Sequence, residues 1–145
     1  MLLDELMKLS SAQPVTSSAV STNSIDRGPQ WPGDCTPLCA SISVDQSATA
    51  SGSATVAFQI ISSASADMSS PNVVASSDAI PKAALIAHRP LIFVKAESKN
   101  LPAGHRYLGL QYIVANGPLT AGKFTAYLVE SAIGAPVYGS GFTVA

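Results

Sequence analysis

Charge is scarce in this chain. Eight Lys/Arg and nine Asp/Glu make up 12% of 145 residues, with a net charge of −1. An average soluble domain carries about 25%. Gripping nucleic acid or anionic lipid needs clustered Lys/Arg, and no such cluster occurs, so neither is expected as a partner. No apolar run reaches the roughly 18 residues of a membrane span, so no membrane partner is expected either. Histidine and cysteine each occur twice, as His88, His105, Cys35 and Cys39, and the one tryptophan is Trp31. A structural zinc site needs about four ligands, commonly in two closely spaced pairs. Cys35 and Cys39 have no second pair, so neither a metal nor a cofactor is expected. The two cysteines are expected as free thiols in a loop.

What the chain does have is small residues: 22 Ala, 21 Ser and 8 Thr. The polar surface is therefore built from hydroxyls and amides rather than charge. The hydrophobic class without alanine still leaves 46 residues, enough for one core. A chain of this length buries about 68–70% of its unfolded surface. Such a weakly charged surface fits a protein packed in an assembly or working outside a cell better than a monomeric cytosolic enzyme.

The N-terminus reads Met1-Leu2-Leu3-Asp4-Glu5-Leu6-Met7-Lys8-Leu9. Two early acids and Lys8 interrupt the apolar run that a secretory signal requires, so no signal peptide is expected. Two readings remain: an arm docking on a partner through Leu2, Leu3, Leu6, Met7 and Leu9, or a terminus packed locally on its own domain. Residues 10–24 are rich in Ser, Thr and Ala and are expected to be extended, needing a neighbour to order them. The chain is accordingly divided into an arm, 1–25, and a domain, 26–145. Prolines 29, 32 and 37 make a rigid loop around Trp31, read as a plug at one end of the core or as a contact residue.

Beyond residue 40 the apolar pattern has a period of two. Ile42 and Val44 alternate with Ser41 and Ser43, and Val56, Phe58 and Ile60 share one face. Val73–Val74 is a short strand, 90–97 another, and 83–87 fits either a helical turn or a strand. Residues 106–115 and 123–131 are two further strands. The short Asn116-Gly117-Pro118 connection predicts that they form an antiparallel hairpin. The result is an all-β fold: an antiparallel jelly roll or β-sandwich of about eight short strands.

Catalytic patterns are missing. There is no Gly-x-Ser-x-Gly elbow and no glycine-rich phosphate loop opening a helix. His88 and His105 each sit at a strand entry and read as loop histidines. Glu97 and Glu130 end strands and read as solvated. The chain is not expected to be an enzyme.

Four stretches carry a resemblance: Thr22-Asn23-Ser24-Ile25-Asp26-Arg27-Gly28, then 74–81, 101–112 and 119–129. In this order and spacing the chain resembles the small capsid cement (decoration) proteins of short-tailed bacteriophages, from about residue 12 to 131. The loop from Trp31 to Cys39, with its cysteines, and the tail 132–145 depart from the family pattern. The resemblance implies a jelly-roll virion protein on the outer surface of an HK97-like shell. Such a protein bridges neighbouring major capsid subunits, associates with itself as a homodimer and steadies the DNA-filled head. With little charge, its contacts are expected to be apolar and weakly salt-sensitive. The rival reading is a carbohydrate-binding or adhesive jelly roll of a phage particle.

Overall fold

A computed structural model describes residues 3–28, 38–88, 90–96 and 101–129. Trp31, Cys35, Glu97 and Glu130, on which expectations were placed, lie outside them, as do Leu2 and the tail. The described chain is all-β, with two single-turn 3₁₀ segments, η1 (Glu5–Met7) and η2 (Lys82–Ala84). The ten strands are β1 (Lys8–Pro14), β2 (Ala19–Val20), β3 (Ile25–Asp26), β4 (Leu38–Thr49), β5 (Thr55–Ser63), β6 (Asn72–Ser76), β7 (Ile80–Pro81), β8 (Ile92–Ala96), β9 (Tyr107–Ala115) and β10 (Ala121–Val129).

They form two antiparallel sheets. One has the order β1-β10-β4-β8; the other runs β2-β9-β5-β6, with β3 also on β9 and β7 also on β5. Counting β2/β3 and β6/β7 each as one interrupted strand leaves eight positions, ordered 1-8-3-6 in one sheet and 2-7-4-5 in the other. That order is the double Greek key of a jelly roll.

The expected hairpin is not formed. β9 and β10 lie in different sheets, and residues 116–120 arch between them. Asn116 and Gly117 both take positive φ, 61° and 102°, and Leu119 is buried under the arch. Each strand has one apolar face, and the arch turns those faces toward each other across the core. A hairpin would have set them side by side, leaving both to be covered by something else.

The faces meet at three fully buried rings. Phe58 from β5 and Tyr112 from β9 face Phe124 from β10. Phe58 makes edge contacts with both, at centroid distances of 5.8 Å to Tyr112 and 5.4 Å to Phe124. Tyr112 and Phe124 stack at 5.6 Å. Ile42, Val44, Val56, Ile60, Leu108 and Leu110 extend this core. A second, smaller cluster lies on the outside of the β9–β5 pair. There the 64–70 turn folds back and places Met68 over Gly109, where an added Cβ would lie 3.0 Å from Met68 Cε. Ile61, registered with Gly109, is fully buried although it points away from the main core.

Residues 8–26, placed in or next to the arm by sequence, supply β1, β2 and β3 and close one side of the sandwich. Leu9 differs most from its expectation as a contact residue: it is 1% exposed and belongs to the core. Ser10 Oγ, fully buried, shares a 2.5 Å hydrogen bond with the Tyr112 hydroxyl. Gln13 ties the sheets together, its amide donating to the Val20 carbonyl and accepting from the Thr22 N–H. A segment poor in bulky residues thus orders by hydrogen bonds at a sheet edge.

Tyr112 yields a test. Tyr112→Phe leaves the buried Ser10 hydroxyl without this partner and is expected to cost about 1–3 kcal/mol in thermal or urea unfolding. Burial also pushes the Tyr112 phenol up to about 12, against about 10 in an unfolded chain. The neutral phenol is favoured by folding, so its contribution is intact below pH 10 and falls away between pH 10 and 12. The loss amounts to about 3 kcal/mol by the upper pH. Stability of the wild type should therefore drop more steeply than that of Tyr112→Phe across this window. Parallel curves would show that the phenol is not responsible.

Candidate binding surfaces

Among the described residues, six large hydrophobic side chains are exposed: Leu3, Leu6, Met7, Val73, Ile86 and Leu91. Five of them fall on two opposite sides of the sandwich. The first three sit on or beside η1, next to the β1 edge. Ile86 and Leu91 lie on the opposite edge, beside β4 and β8, and Val73, on the edge strand β6, stands on the outer face of its sheet with Ile61.

The η1 surface is locally held. Asp4 caps the turn, its carboxylate accepting from the Leu6 N–H at 3.0 Å. Glu5 pairs with Lys8 at 2.5 Å, and the Lys8 ammonium lies 5.5 Å from the centre of the Tyr127 ring on β10. The hydrogen bond to Glu5 is the main cause holding the Lys8 pKa above its ordinary value. This frame leaves Leu6 84% exposed, an apolar side chain held up by a capped turn. Leu3 and Met7 flank it, so three of the sequence-derived contact residues come together here. Leu9 points the other way, into the core.

At one end of the sandwich, Leu101–Arg106 and Gly28 line an open cleft of about 520 Å³. Arg106 grips the Asp26 carboxylate through two guanidinium nitrogens and lies 5.1 Å from the centre of the Tyr107 ring. The Arg106 hydrogen bonds are the main cause lowering the Asp26 pKa, helped by the Gly28 N–H. His105 Nδ1 and Ser62 Oγ share a 3.0 Å hydrogen bond. Ser62 is fully buried, so this pair braces the end of the core and presents no nucleophile. Cys39 is a free, buried thiol, and burial raises its pKa. No three His, Cys, Asp or Glu side chains among the described residues lie together as metal ligands, and no described helix is long and apolar enough to cross a membrane.

The 22–28 motif proves to be structural. The Asn23 N–H and side-chain amide bind the Leu9 and Lys8 carbonyls. Ser24 binds the Ala66 carbonyl, and Asp26 anchors Arg106. The motif therefore closes the side of the sandwich between β1 and β9. Sequence reading missed the surface beside β4 and β8. Ile86 and Leu91 stand alone in sequence, and only the fold brings them to one edge.

The class this architecture defines is a single antiparallel jelly roll. The Bbp16 family model matches residues 9–128, and the chain belongs to the Bbp16 family. The match starts inside β1 and ends inside β10, so it spans the jelly roll and leaves η1 outside. No curated protein matches the chain.

Proposed function

We propose that this protein is a capsid cement (decoration) protein of a short-tailed bacteriophage, seated on the outside of an HK97-like shell. It bridges neighbouring major capsid subunits and self-associates as a homodimer. The observation that carries this reading is the placement of exposed apolar side chains on two opposite sides of a rigid sandwich. A protein that joins two neighbours needs two such surfaces. Leu3, Leu6 and Met7 dock on the shell, and the contact is apolar enough to survive salt. Two shell contacts per dimer make the second one effectively intramolecular, which raises avidity without new contacts.

The test is reconstitution. Purified protein added to shells lacking it is expected to bind to saturation in a fixed ratio to the major subunit, and to raise the shell's melting temperature. Binding should weaken little between low and high salt. Absence of binding, or binding without a fixed ratio, overturns the reading. Selective binding on a glycan array instead would favour an adhesive module.

A further inference from the structure

In the 64–70 turn, backbone strain is set against the burial of one side chain. Six of its seven residues are exposed and only Met68 is buried. Met68 and Ser70 both take left-handed backbone, with φ 57° and 47°, a conformation that residues with a Cβ adopt at a cost. Ser63 ties the neck of the turn. Its buried hydroxyl donates to the Ser69 carbonyl at 2.6 Å and accepts from the Ser65 N–H at 3.1 Å. Beyond the neck, the Ser24 hydroxyl reaches the Ala66 carbonyl at 3.0 Å, and Met68 supplies the apolar anchor.

The seat of that anchor fits an unbranched thioether. Met68 Cε and Cγ lie 3.0 and 3.5 Å from where a Cβ on Gly109 would stand, so the sulfur between them lies over the glycine. Methionine fills such irregular space because it is unbranched and flexible. Ser21 Oγ shares the space, 3.4 Å from the same point. Its one hydrogen is already donated to the Asn23 carbonyl at 2.8 Å, and it accepts the Leu110 N–H at 3.0 Å. Ile61, in register with Gly109, is fully buried on this outer face. Val73, opposite Ile61 on β6, is exposed.

From the strained turn and its single seat over Gly109 we infer that Met68 is a redox-sensitive latch. The 64–70 turn opens locally, and oxidation of the thioether to the sulfoxide holds it open and uncovers Ile61. A segment with one buried side chain and two strained residues belongs to the part of a fold that opens without global unfolding. In the open state the sulfur meets solvent, where a peroxide oxidises it. A sulfur lone pair attacks one peroxide oxygen, the O–O bond breaks and the S–O bond forms. With hydrogen peroxide the other oxygen leaves as water, so methionine gives up two electrons and the peroxide takes them. The product is polar, and its added oxygen accepts hydrogen bonds without donating any. Back in its seat, that oxygen faces Ser21, which has no hydrogen left to give, and the space over Gly109 is already filled. A buried acceptor without a donor is costly, so the closed turn loses its advantage. Sulfoxide reductases restore the thioether, which makes the latch reversible.

The test is hydrogen exchange by mass spectrometry on the full chain, before and after hydrogen peroxide, read on peptides covering 62–70. The Met68 N–H, which donates to the Ser65 carbonyl, reports within them. Oxidation is expected first at the more exposed Met7 and then at Met68. Met68 sulfoxide is expected to speed exchange of the 64–70 amides roughly tenfold or more. Exchange in β4 and β10 and the cooperative melt stay as they were, and reducing the sulfoxide brings protection back. Met68→Leu is expected to keep the turn protected with or without peroxide. Met68→Gln, polar and of similar length, is expected to exchange fast without any peroxide. The inference is overturned if Met68 stays unoxidised once Met7 is fully converted, or if the sulfoxide turn or Met68→Gln is as protected as the untreated wild type. Met68→Leu opening in peroxide overturns it as well. So does oxidation that speeds exchange throughout the sandwich, since Met68 would then support the whole fold and not one turn.

Discussion

Phe124→Ala is expected to destabilise the fold by about 3–5 kcal/mol, lowering the melting midpoint by roughly 10 °C or more. Phe124 is fully buried and is the only ring that the β1-β10-β4-β8 sheet contributes to the triad. Truncation removes both ring contacts, each worth about 0.5–1.5 kcal/mol beyond burial. The cavity it leaves between two rigid sheets collapses poorly, because β10 is held by β1 on one side and β4 on the other. Tyr127→Ala, three positions on and on the outer face of the same strand, is the control. It removes a half-buried ring and the Lys8 contact and is expected to cost far less. Differential scanning calorimetry of the two variants decides this. Equal losses would show that the core is not centred on the triad.

The second large effect separates docking from folding. A chain starting at Lys8 is expected to melt within about 2 °C of the full chain yet bind shells roughly tenfold more weakly or worse. Burying one exposed leucine is worth about 1.5–3 kcal/mol, and Leu6 is the most exposed of these side chains. Removing two residues more, through Leu9, is expected to cost an additional 2–5 kcal/mol of stability, because Leu9 is a core side chain and Lys8 is the first residue of β1. The proposed docking segment thus ends at Met7, and β1 begins at Lys8. Shell pelleting and thermal melts on the two truncations check both halves. If the shorter truncation pellets with shells as well as the full chain, η1 is not the docking element.

The strands read from sequence at 55–61, 90–97, 106–115 and 123–131 overlap β5, β8, β9 and β10, because one face is buried and period-two alternation records that directly. β1 was not legible. Its bulges break the alternation, and its order comes from hydrogen bonds to residues as distant in sequence as Tyr112. The outer cluster under Met68 was equally hidden, since Gly109 reads as a weak point in a strand until a side chain from another turn is seen to fill the space above it.

Scarcity of charge determines one thing about this protein: a surface of hydroxyls, amides and a few apolar side chains. Alternation fixed another, the all-β class, because burial of one face acts residue by residue along a strand. Which strands share a sheet was decided only by the tertiary structure. The choice between a hairpin and an arch after β9 depends on what covers the apolar faces, and that covering comes from the whole chain. The same holds for the two apolar sides. Leu9 turns into the core while Leu6 stays exposed, and β4 carries both the 85–88 segment and β8 along one edge, so the grouping is a property of the packed sandwich.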